Sequence, residues 1–168
     1  MRQPAAVATL FLLVLLPAPA VAQRQQLQPS GDPAEVTLNI NGKVGGKSFQ
    51  AAGTGACRHA PEASIRGASA SLWLVQFSSQ HEGLKQLNLT LWRLKDGGPD
   101  QVSLSLETKS GTHRVESGAG DDQGEATVVI LPNGPGGRLE ITGKDADGKR
   151  MQLAIECPAF SSVEAEGG

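Results

Sequence analysis

The feature that most restricts this chain is a two-residue alternation of apolar side chains in short runs, each closed by a glycine-rich break. Val36, Leu38 and Ile40 share one face of EVTLNIN, and Leu87, Leu89 and Leu91 share one face of LKQLNLTLWRL. Val102, Leu104 and Leu106 alternate with Ser103 and Ser105, and Met151, Leu153 and Ile155 repeat the pattern near the C-terminus. Successive side chains of extended backbone point to opposite faces, so this period describes strands that bury one face. Beyond the first 22 residues no window carries the i, i+3, i+4, i+7 spacing of an amphipathic helix. The breaks at 96–100, 118–124, 132–137 and 144–148 are built from Gly, Asp and Pro, the residues of tight turns.

This spacing predicts nine or so strands, roughly at 35–40, 47–57, 71–78, 84–94, 102–106, 112–117, 125–131, 138–142 and 149–157. Asn41-Gly42 reads as the first hairpin turn, and the Ala-rich stretch 61–71 is the one place for a short helical turn. In 71–78, Trp73, Val75 and Phe77 lie on one face and Leu72 and Leu74 on the other. A strand apolar on both faces belongs in the middle of a fold. The expected class is all-β: an antiparallel β-sandwich, or a small barrel, of about 8–10 short strands. With 168 residues there is room for a single domain.

Cys57 and Cys157 are the only cysteines, and together they allow one intramolecular pairing. Such a bond closes a loop of 100 positions, for which chain entropy alone predicts ~4.7 kcal/mol of stabilisation. The parity of 150–157 puts Cys157 on the same face as Met151, Leu153 and Ile155, pointing inward. A catalytic thiol with His59 as its base, or a metal pair, are the rival readings. The chain has no C-x-x-C or H-x-x-x-H spacing to complete a zinc site, so the sequence calls for a disulfide and no metal.

The first residues read as an address. Arg2 precedes an apolar run over 5–16, Pro17 breaks it, and Ala20-Val21-Ala22 offers the small residues of a cleavage site. A run this short does not cross ~30 Å of hydrocarbon, so 1–22 is expected to be a signal peptide that leaves no stable membrane insertion. Export to a periplasmic or extracellular space suits the disulfide. Residues 23–34 (QRQQLQPSGDPA) read as a flexible leader, 35–160 as the domain and 161–168 (SSVEAEGG) as a frayed acidic tail.

Chemistry-bearing patterns are sparse. The three histidines, His59, His81 and His113, fall on separate segments. GASAS at 67–71 lacks the last glycine of a nucleophile elbow and precedes a strand rather than a helix. Residues 118–124 have the glycine of a phosphate loop without its spacing. Asp145-Ala146-Asp147-Gly148 resembles part of a calcium loop, but Gly143 and Ala154 fall where carboxylates are needed, which leaves a turn. Asn88-Leu89-Thr90 is a glycosylation sequon inside a strand. With 15 Lys and Arg scattered among 17 Asp and Glu, no Tyr and two Trp, a nucleic-acid surface is not expected, and no cofactor is implied.

One cluster stands out. If Leu87, Leu89 and Leu91 face the core, Trp92 lies outside with Asn88 and Thr90, beside Arg93. An exposed Trp among polar side chains and an Arg has the composition of a binding anchor; the competing reading is that this second face is covered and Trp92 is packing. The expected function is non-catalytic binding of a protein, glycan or small molecule at the cell envelope or beyond. A secreted inhibitor of a protease or lysozyme is one alternative. A small hydrolase assembled from His59, His113 and a carboxylate is another.

The order of GTGAC at 53–57, Ile141-Thr142-Gly143 and a terminal Ile155-Glu156-Cys157 resembles the mycobacterial 19-kilodalton lipoprotein antigens. That resemblance implies a small extracytoplasmic β domain closed by one long-range disulfide, over about 57–157. The lipid-attachment Cys of those antigens has no counterpart here, so neither their anchor nor a ligand is carried over.

Overall fold

The computed structural model describes residues 35–80, 83–118, 120 and 122–163. The proposed signal peptide and leader lie outside them, as do His81 and residues 164–168. The described chain is all-β, without a helix, and forms one antiparallel sheet of nine strands curled into a half-barrel. The strands are β1 (Val36–Val44), β2 (Lys47–Ile65), β3 (Ala68–Ser78), β4 (Leu84–Leu94), β5 (Gln101–Thr108), β6 (Gly111–Ser117), β7 (Glu125–Asn133), β8 (Gly136–Lys144) and β9 (Arg150–Cys157). They lie in the order β6-β5-β4-β3-β2-β1-β9-β8-β7. Ser161 and Ser162, in the expected tail, form β10 (Ser161–Ser162), which pairs in parallel with Arg58 and His59 of β2.

The curl follows from the alternation. Every long strand sends one face inward, and wrapping the sheet on itself lets those faces bury each other. Leu38 and Ile40 of β1, Val75 and Phe77 of β3, Leu87, Leu89 and Leu91 of β4, Leu104 and Leu106 of β5, and Leu139 and Ile141 of β8 share one buried cluster with Met151, Leu153 and Ile155. Each fully buried Leu or Ile contributes ~1.5–3 kcal/mol relative to an exposed one.

Two expectations are corrected. The first hairpin turns at Gly45-Gly46 (φ +56° and +87°), not at Asn41-Gly42, which stay in β1 paired with Gln50 and Phe49. Gly42 is a packing glycine: a Cβ there would lie 2.4 Å from the Phe49 ring and 2.6 Å from Leu153. The stretch 61–71 holds no helical turn. β2 runs on to Ile65 past a register shift between Ala60 and Ala63, and Arg66-Gly67 returns the chain into β3. Pro61 is tolerated because that shift leaves it outside the ladder.

Cys57 and Cys157 are bonded, with Cα atoms 6.0 Å apart. They sit on β2 and β9, the two neighbours of β1, just past its start: Val36 pairs with Gly55 and Asn39 with Glu156. The bond therefore joins the two halves of the sheet where no strand lies between them. A disulfide suggests a non-cytoplasmic location, and no helix among the described residues is long and apolar enough to cross a membrane.

At the far edge of the sheet, β6 is tied by polar contacts to the loop before β7 and to the turn between β8 and β9, which makes a noncovalent seam. Glu116 and Gln123 exchange backbone hydrogen bonds of 2.9 and 2.7 Å, and the Ala146 N–H donates to the Arg114 carbonyl at 2.9 Å. His113 Nδ1 meets Asp145 Oδ2 at 2.7 Å, with the side chains 3% and 1% exposed. Asp145 Oδ1 also accepts the backbone N–H groups of Asp147 and Lys149 at 3.0 and 2.7 Å. Burial alone would raise the Asp145 carboxyl, but the hydrogen bonds from His113, Lys149 and Asp147 outweigh it and hold the group below its usual range.

Candidate functional site

The outer face of β2, β3 and β4 is read from their register. One row across it is Ala60, Leu72 and Trp92; the next is Arg58, Leu74 and Thr90; the third is Ala56, Gln76 and Asn88. β5 and β6 extend the second row with Ser103 and Glu116 and the third with Ser105 and Arg114. Ala60 and Leu72 are buried although they lie on this outward side, Trp92, Leu74 and Thr90 are half-buried, and Asn88 is exposed. The β3 segment is thus apolar on both faces and central in the sheet, as its sequence indicates.

Three of the four residues singled out from sequence share this face: Asn88, Thr90 and Trp92. Arg93 does not join them, because strand parity turns it to the other side. Its Nη2 donates to Asp100 Oδ2 at 2.7 Å and to the Val128 carbonyl at 3.0 Å, and its Nε donates to Asp100 Oδ1 at 3.0 Å. The Asp100 hydrogen bond raises its already high pKa. The guanidinium carbon also lies 5.6 Å from the Trp73 ring centroid. Trp73 stacks on His59 at 4.4 Å with an interplanar angle of 12°, and Phe160 meets His59 edge-on at 6.1 Å. Burial lowers the pKa of His59. Arg93 thus reaches from β4 to the carbonyl of edge strand β7.

The residue that sequence reading passed over is Arg58. It is only 9% exposed, and among the described residues no carboxylate, carbonyl or ring partners its guanidinium. With Gln76, Asn88, Thr90 and Leu74 it lines a recess of about 70 Å³. None of the Arg58 nitrogens is among the buried polar atoms without a partner, which are His59 Nε2, His113 Nε2 and Ser117 Oγ, so the stem is buried while the guanidinium tip reaches solvent. The signal was present in the sequence: if Cys57 points inward, the next residue points outward, onto the face of Asn88 and Thr90.

His59 and His113 do not assemble a site. Their strands, β2 and β6, stand four places apart in the sheet, and each histidine has its own neighbours, the Trp73 ring for one and Asp145 for the other. No group of three or more His, Cys, Asp or Glu suited to a metal ion occurs among the described residues. A wider cleft of about 440 Å³ opens where the β1–β2 and β5–β6 turns meet, lined by Lys47, Phe49, Thr108 and Ser110 among others. It contains none of the four sequence candidates. No family model, curated protein or solved structure matches this chain, so the likeness to the 19-kilodalton antigens gains no support from them.

Proposed function

We propose that this protein is exported through residues 1–22 and works as a non-catalytic binding domain, with the outer face of β2, β3 and β4 as its contact surface and Trp92 as the anchor. The observation that carries this reading is a half-buried Trp92 and a largely buried Arg58, without a partner among the described residues, on one outer face two strands apart. Trp and Arg on one face are the residue types that concentrate binding energy at interfaces. Its position on a rigid sheet keeps both side chains in place before a ligand arrives. The buried His113–Asp145 pair, the one close His–carboxylate contact among the described residues, is 3% and 1% exposed. A substrate has no access to it, which favours binding over a hydrolase.

The test is Trp92→Ala, read on an array of glycans and peptides and by thermal unfolding. The expected result is loss of the array signals given by the unaltered protein, with Tm within about 4 °C. A core Trp would cost ~3–5 kcal/mol on truncation. A drop in Tm of more than about 10 °C, or array signals equal to those of the unaltered protein, would contradict the proposal.

A further inference from the structure

We infer that the recess at Arg58 is an oxyanion subsite that takes the carboxylate of an acidic sugar; the inference rests on the binding face just proposed and names its ligand chemistry. The lining supplies the argument. Arg58 offers a planar fork of N–H donors that matches a carboxylate. Gln76 and Asn88 add amide N–H donors, Thr90 adds a hydroxyl, and no Asp or Glu lines the recess. Every polar side chain there can donate to an anion, and the Arg58 charge repels a cation.

Size narrows the class. About 70 Å³ admits one carboxylate or a water or two, a water occupying ~30 Å³, and no ring. The body of the ligand therefore lies on the surface above, where Leu74 and Trp92 share the face. One charge among three neutral hydrogen-bonding side chains, beside an aromatic, matches a hydroxyl-rich ring bearing a single carboxylate better than a run of acidic peptide, which would call for several cations. Arg58 has no competing partner to release among the described residues, so the ligand's carboxylate meets a guanidinium that otherwise faces only solvent.

The experiment is calorimetric titration of the full chain and of Arg58→Met with four probes: tri-galacturonate, the uncharged tri-galactose, a Glu-rich peptide and inorganic sulfate. The expected result is saturable binding of tri-galacturonate, at least tenfold weaker binding of tri-galactose, and loss of tri-galacturonate binding by at least tenfold in Arg58→Met. Circular dichroism confirms that the variant is folded. Equal binding of tri-galacturonate by Arg58→Met overturns the subsite. Tighter binding of the peptide, or of sulfate alone, overturns the sugar assignment. Binding of any probe that Trp92→Ala abolishes but Arg58→Met leaves intact keeps the binding face and removes only this inference. If neither variant changes the binding of any probe, the face fails as well.

Discussion

The two halves of the sheet solve the same problem differently on their outer faces. On β8 and its neighbours most charges are paired: Arg138 donates to Glu140 at 2.9 Å and to Glu156 at 2.8 Å, and Lys144 donates to Glu125 at 2.7 Å, while Arg150 of β9 has no side-chain partner among the described residues. The hydrogen bonds to Glu156 and Glu140 raise the Arg138 pKa further. On β2, β3 and β4 the outward side holds Leu72, Leu74 and Trp92, and its one arginine, Arg58, stands buried without a counterion. The first face is dominated by ion pairs, with Val129 and Leu131 of β7 exposed beside them. The second gathers half-buried apolar side chains around one largely buried arginine that has no counterion among the described residues. Sites that break the rules of stability in this way are where function is to be sought.

The disulfide gives the largest test of this division, because it ties β2, which carries the unusual face, to β9, which carries the ordinary one. Replacing Cys57 and Cys157 with Ala is expected to cost ~2–5 kcal/mol in denaturant unfolding and to weaken both halves together. Amide exchange that accelerated in only one half would show that the halves are separate units.

The noncovalent seam comes next. Asp145→Asn removes the carboxylate from His113 and is expected to cost ~1.5–3 kcal/mol, the value of a hydrogen bond to a charged group. The pH dependence follows from the lowered Asp145 pKa. An unfolded carboxyl titrates near 3.9, so the stabilisation is complete above that pH and is lost as pH falls through the lower folded value. Urea unfolding of the unaltered protein at pH 7 and at pH 3 should show that loss, and Asp145→Asn should show less of it. An unchanged acid loss in the variant would assign the seam to other groups.

Much of this architecture is legible in the sequence, and the exceptions have physical causes. The bounds of β4 match the 84–94 read from alternation, since Leu87, Leu89 and Leu91 leave only one register that buries them. The pairing of Cys57 with Cys157 follows from counting and parity. Asn41-Gly42 carries a strong local turn signal; only the Phe49 ring and Leu153, which come from β2 and β9, explain a glycine inside a strand. The His113–Asp145 pair spans 32 positions and exists only once the sheet curls, so no local pattern announces it. Arg93 illustrates the reverse. Sequence adjacency to Trp92 suggested a shared site, yet adjacent residues of a strand face opposite ways.

The most direct measurement compares two arginines in the absence of any ligand: thermal unfolding of Arg58→Met and of Arg138→Met beside the unaltered protein. Arg58 makes no side-chain hydrogen bond or ion pair among the described residues, so its replacement breaks none, and Tm should stay within about 2 °C. Arg138 is exposed and paired, and its loss should lower Tm by no more than about 2 °C. A fall in Tm for Arg58→Met larger than that for Arg138→Met would mean the chain already satisfies that guanidinium, and the claim that it waits for a ligand would be wrong.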